Sequence, residues 1–205
     1  QGGGLGQGIV YSTDGGNTWA TDNSFSTAVG GAFGKEIRKL MYLPGTNMLL
    51  AVTDKQVLIK TSHSAAGWDD ITPSSITSTT NLKITDLEFS KNVAGKVVIS
   101  TTADNNISHL FVNNLNNYPT VSWTDLQFSV TGFIQQDEND GIVGFSVSGN
   151  DNALLRFSLN SSSTKTYVFR KTPISSASLS FVTNSVPAAM NVFEVSPADE
   201  SVVYA

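Results

Sequence analysis

The chain has 205 residues, long enough to bury one sizeable core, and only 14% of them are charged, against roughly 25% in an average soluble domain. A net charge of −5, with twelve scattered Lys and Arg residues, excludes a surface built for nucleic-acid phosphates or anionic membranes. The absence of cysteine removes disulfides, thiolate metal sites and cysteine nucleophiles together, and no apolar run approaches the roughly 18 residues of a membrane-spanning helix.

Residues 8–12 alternate toward a β-strand, Asp14-Gly15-Gly16-Asn17 is a tight turn, and Trp19 opens the returning strand. Three further strands are expected at 37–42, 48–52 and 57–60, followed by a polar turn that ends at Trp68. The same order returns at 84–89, 97–99 and 109–112 before Trp123, and again at 132–135, 142–147 and 154–158 before Tyr167. Strands at 192–195 and 202–204 close the series. The second strand of each group is a continuous apolar run, as in a strand buried on both faces. No segment carries a capped apolar period of 3.6 residues, so the fold class is all-β. Aromatic residues at 19, 68, 123 and 167 open the fourth strands, and that recurrence is close to the period of about 40–50 residues of propeller repeats.

The stretch Ser12-x-Asp14-x-Gly16-x-Thr18-Trp19 resembles the Asp-box, or bacterial neuraminidase repeat, of sialidase-, sortilin- and xyloglucanase-like proteins. Degenerate counterparts run from Thr61 to Trp68 with His63 at the aspartate position, from Asn113 to Trp123, and from Ser158 to Tyr167. The resemblance implies a β-propeller of four-stranded antiparallel blades, about four of them in this chain. They would be a half-blade at 8–23, blades at about 37–75, 82–129 and 131–172, and a half-blade at 191–205. The halves either complete one blade and close a four-bladed ring, or the chain is a segment of a longer propeller; the second is preferred because Asp-box families have more than four blades. The first residue is Gln1 rather than Met, which suggests removal of a preceding segment.

Asp14 is expected to be structural, its carboxylate accepting from backbone N–H groups of the turn while the Ser12 and Thr18 hydroxyls act alongside it. Trp19 is expected to fill the space between neighbouring sheets with its indole N–H on a backbone acceptor. Gly16 completes the turn, and Trp68, Trp123 and Tyr167 are the anchors of the decayed repeats. Residues 137–141, Asp-Glu-Asn-Asp-Gly, lack the spacing and distal Glu of a calcium loop and read as a hairpin turn. Asp69-Asp70 reads as a solvated strand start. Neither His63 nor His109 stands at zinc-ligand spacing. A sialidase-type clamp would consume all three arginines, Arg38, Arg156 and Arg170, and that family's Arg-Ile-Pro motif is missing. Of the aromatics able to stack on sugars (Trp68, Trp123, Tyr118 and Phe133), Tyr118 is the one expected at the surface. Two Asn-x-Ser sequons, at Asn106 and Asn160, read as chance in an Asn/Ser-rich chain.

These readings lead to a secreted or cell-surface propeller acting as a non-catalytic binding or spacer module. Its partner would be a protein or glycan on one propeller face, or other domains of a longer chain. No catalytic, cofactor-binding or metal-ligating residue is expected. The alternatives are a segment of a sialidase- or xyloglucanase-like glycoside hydrolase with catalytic residues partly outside the chain, and a structural surface-layer or appendage subunit.

Overall fold

The computed structural model describes residues 8–30, 37–90, 93–102, 104, 107–128, 141–147, 153–158, 165–171, 180–187, 194–195 and 203–204, those from 128 on by their backbone. The chain divides into two compact units, Gln1–Thr72 and Pro73–Ala205.

In the first unit, β1 (Val10–Tyr11) and β2 (Ala20–Thr21) form a two-stranded hairpin. The short helix α1 (Asn23–Ala28) follows, and then a four-stranded antiparallel meander of β3 (Lys39–Tyr42), β4 (Leu49–Val52), β5 (Val57–Lys60) and β6 (Asp69–Asp70). Leu50, Ala51, Val52, Val57, Leu58 and Ile59 are at most 1% exposed, so both faces of the two central strands are covered. Burial of each of the Leu, Val and Ile side chains is worth about 1.5–3 kcal/mol, enough to hold a sheet whose outer strand has only two residues. Helix α1 is too short to form alone. It is held because Phe25 and Val29 enter one apolar cluster with Ile9, Ala51, Leu58 and Trp68. Asp22 caps it, its carboxylate accepting from Ser24 N–H at 3.1 Å.

The second unit begins with α2 (Ser74–Ser78), where Pro73 stands at the cap and Ile76 is fully buried. Another four-stranded meander follows: β7 (Ile84–Phe89), β8 (Lys96–Thr101), β9 (Ser108–Asn114) and β10 (Thr124–Phe128). A single 3-10 turn at Leu115–Asn117 lies between β9 and β10. A third meander is built from β11 (Gly141–Val147), β12 (Ala153–Ser158), β13 (Lys165–Lys171) and β14 (Ser180–Pro187), with β11 alongside β7 and β8. A hairpin of β15 (Glu194–Val195) and β16 (Val203–Tyr204) ends the described elements.

Among the described residues the protein is therefore all-β, with antiparallel four-stranded sheets and two short helices. The first two meanders follow the expected strand positions closely. The third differs: β14 is its outer strand and falls beyond the expected limit of 172, and β13 pairs on both sides. The expected strand at 132–135 and the turn at 137–141 lie outside the described residues.

Candidate functional site

The turn at residues 12–19 is closed by side chains bonding to neighbours no more than four residues away. Gly15 and Gly16 adopt φ of +71° and +94°, a region open to glycine, and this bends the chain back on itself. Asp14 Oδ1 accepts from the Thr18 N–H at 2.9 Å and the Ser12 hydroxyl at 2.8 Å, and Oδ2 accepts from the Thr18 hydroxyl at 2.6 Å. The Ser12 oxygen in turn accepts from Gly16 N–H at 2.8 Å. These bonds, the Thr18 hydroxyl first and then the Thr18 N–H and Ser12, lower the Asp14 carboxyl from 3.8 to about 2. The Trp19 indole N–H donates to the Gly16 carbonyl at 3.1 Å. Its ring, however, is 65% exposed; in this structure it does not fill a space between sheets.

A second polar cluster lies in the apolar interior of the same unit. Asp22 Oδ2 accepts from Lys60 Nζ at 2.7 Å and from the Trp68 indole N–H at 3.0 Å, and Oδ1 accepts from the Ser24 hydroxyl. Phe25 meets the Trp68 ring edge-on, with centroids 5.5 Å apart. Desolvation raises the Asp22 carboxyl, but the bonds from Lys60, Ser24 and Trp68 outweigh it and leave the group below its ordinary value.

The second unit carries a polar pair on one sheet face. His109 Nδ1 lies 3.0 and 2.9 Å from the two carboxylate oxygens of Asp125, and the imidazole stacks on Phe111 at 5.7 Å. Gln127 Nε2 donates to the same carboxylate at 3.0 Å. Further along β9 on the His109 face, Asn113 is 6% exposed, and among the described residues its amide nitrogen has no hydrogen-bond partner. On β7, Asp86 and Glu88 are half-buried on one face at alternate positions. Sequence reading did not single them out, although carboxylates at alternate positions of a strand whose Ile84, Leu87 and Phe89 are apolar are a legible signal.

Ser12, Asp14, Gly16, Thr18 and Trp19 are thus brought together in one turn. Trp68 and Trp123 immediately precede the outer strands β6 and β10, the first buried and the second half-buried, whereas Tyr167 lies within β13. His63 is exposed in its turn, and Asp69-Asp70 forms β6, where Asp70 Oδ1 accepts from Thr72 N–H at 2.9 Å. Tyr118 is half-buried. Among the described residues no cluster of three or more His, Asp or Glu side chains could hold a metal ion, and no helix is long and apolar enough to cross a membrane.

No protein-family model and no curated protein sequence matches the chain. Successive four-stranded antiparallel meanders define a β-propeller-like class of fold. Among solved structures the chain is similar to the GH74 xyloglucanase from Xanthomonas campestris, with a TM-score of 0.69 and 12% identity over 96% of this chain and 32% of that one. The chain thus spans about a third of that enzyme's length, and at this identity the likeness is one of fold. It nevertheless corrects the expectation that the chain is not an enzyme, because the matched fold belongs to a glycoside hydrolase. One repeated-sheet scaffold can carry different chemistries on its loops.

Proposed function

We propose that the chain is a segment of an extracellular β-propeller glycoside hydrolase acting on a β-linked glucan of the xyloglucan type, bound across one propeller face. The fold match over 96% of the chain carries this reading. The low charge and the hydroxyl- and amide-rich composition fit a neutral, hydrogen-bonding polymer outside the cell. In this reading the turn at 12–19 is an Asp-box with a structural role, and other segments of a longer chain supply part of the catalytic machinery.

Glycoside cleavage uses one carboxyl that holds a proton and a second that is ionised. Asp14 and Asp22 are held below the usual range, which rules out the proton-holding role, and both are already engaged in hydrogen bonds on both oxygens. Asp86 and Glu88 are better placed. They stand at alternate positions on one face of β7, their backbone positions about 6.6 Å apart along the strand. They are the pair proposed to act on substrate.

Titration with xyloglucan oligosaccharides, followed by calorimetry and by release of reducing ends, tests the proposal. The chain is expected to bind them, and Asp86→Asn and Glu88→Gln to abolish any turnover while leaving the fold intact. Absence of both binding and turnover would refute it.

A further inference from the structure

Asp14 is followed by Gly15, and that dipeptide has a chemistry of its own. Glycine has no Cβ to shield its backbone nitrogen, so the nitrogen can attack the side-chain carboxyl carbon of the aspartate before it. The new C–N bond closes a five-membered succinimide, and one carboxyl oxygen leaves as water. Water then reopens the ring at either carbonyl. Opening at the former backbone carbonyl leaves isoaspartate, in which the chain runs through what was the side chain. Ring closure needs a carboxyl that bears a proton and is free to turn, because an ionised carboxylate is a poor electrophile.

In the folded turn neither condition is met. Asp14 Oδ1 accepts from the Thr18 N–H at 2.9 Å and the Ser12 hydroxyl at 2.8 Å, and Oδ2 accepts from the Thr18 hydroxyl at 2.6 Å. Ring closure has to break all three bonds. The same bonds, the Thr18 hydroxyl first, hold the carboxyl at about 2 rather than 3.8, so at mildly acidic pH its proton-bearing form is roughly 60 times scarcer than in a free aspartate. Every group involved lies between residues 12 and 18, so the protection depends on the turn itself.

We infer that Asp14-Gly15 is a latent isomerisation site of this chain, shut while the turn at 12–19 is formed and opened when its hydrogen bonds are lost. The product cannot rebuild the turn. Isoaspartate adds one backbone carbon between Tyr11 and Ala20, whose pairing holds the hairpin in register. It also turns the Asp14 backbone carbonyl, which accepts from Asn17 Nδ2 at 2.7 Å, into a free carboxyl. A chain that has stood open at this turn therefore keeps a covalent record of it. The inference involves neither a glucan nor a neighbouring sheet, so it is independent of the proposed function.

Incubation of the 205-residue chain in heavy-oxygen water at mildly acidic pH, once in native buffer and once in concentrated urea, tests it. Each succinimide that opens takes up one heavy oxygen, and mass spectrometry with electron-transfer fragmentation locates the label and separates isoaspartate from aspartate. Isoaspartate at residue 14 is expected to accumulate in urea, and more than about tenfold more slowly in native buffer, where the proton-bearing carboxyl is scarce. Equal rates in the two would overturn the inference, and so would the absence of isoaspartate at residue 14 in urea. Thr18→Val, which removes the donor to Oδ2, should raise the native rate several-fold, and Thr18→Ser, which keeps a hydroxyl there, should not. A Thr18→Val rate no higher than that of the unmodified chain, or a Thr18→Ser rate equal to that of Thr18→Val, would also overturn it.

Discussion

Lys60 Nζ lies 2.7 Å from Asp22 Oδ2, and both side chains are less than a tenth exposed. The pair joins the cap of α1 to the end of β5, residues 38 positions apart, and the Trp68 indole completes the arrangement. A buried pair of this kind stabilises little by itself, because desolvation offsets the attraction, but breaking it leaves an uncompensated charge. Lys60→Met is therefore expected to destabilise the first unit by about 3–5 kcal/mol at neutral pH, with weak dependence on salt. Urea denaturation at low and high ionic strength measures both. A cost that vanishes in high salt would mean that the pair behaves as a surface contact.

The same carboxylate sets an acid limit. The bonds from Lys60, Ser24 and Trp68 more than offset the desolvation that raises Asp22, so its folded-state value is below that of the unfolded chain. A depressed carboxylate contributes stability that is present above its unfolded value, about 3.9, and is lost as pH falls through its folded value. The melting temperature should consequently fall steeply below about pH 4, and more steeply in the unmodified protein than in Asp22→Asn. Parallel slopes would remove Asp22 as the cause.

Asp14 has the same sign of shift without burial. Thr18→Val deletes the hydroxyl that contributes most to holding its carboxyl at about 2 while keeping the Thr18 N–H bond. The carboxyl should then titrate nearer its ordinary value. Carbon-detected NMR titration of the Asp14 side chain measures it, and an unchanged midpoint would show that the backbone bond alone sets the value.

The turn at 12–19 was legible in the sequence because its bonds span four residues or fewer, so the pattern contains the structure. The strands of the first two meanders were legible because apolar runs such as residues 49–52 and 97–99 are bounded by turn residues. The Asp22–Lys60–Trp68 cluster was not, since its members are brought together only by tertiary packing, and an aspartate before a short helix reads as a cap and nothing more. Strand β14 was missed because Tyr167, taken as the start of an outer strand, belongs to an interior one and placed the end of that sheet too early. The exposure of Trp19 was likewise unreadable, because a pattern names an anchor but not what stands against it.

Asn113 carries a cost without a visible return in stability. Its amide nitrogen is buried and, among the described residues, unpartnered, on a face that also holds Phe111, opposite Val97. An orphaned polar group costs about 1–3 kcal/mol, whereas an apolar side chain of similar volume removes that penalty. Asn113→Leu is expected to raise the melting temperature by about 2–4 °C for a gain near 1 kcal/mol in a protein of this size. Differential scanning calorimetry decides, and a drop would reveal a partner for the amide oxygen that matters more than the stranded nitrogen.

Gly95 and Gly45 separate two effects that usually come together. Both have φ of +76°, so alanine at either bears the strain of the left-handed region, about 1 kcal/mol. Around Gly45 nothing stands within 4 Å of an added Cβ, whereas at Gly95 it would collide with the Asn116 side chain and lie 2.8 Å from Asn114 Oδ1. Those two residues shape the turn after β9: Asn114 Oδ1 accepts from Asn116 N–H at 3.0 Å, and Asn116 Nδ2 donates to the Ala94 carbonyl at 2.7 Å. Gly95→Ala must displace that turn and is expected to cost roughly 1–3 kcal/mol more than Gly45→Ala. Matched urea midpoints for the two variants would show that the turn yields without loss and that only the backbone angle matters.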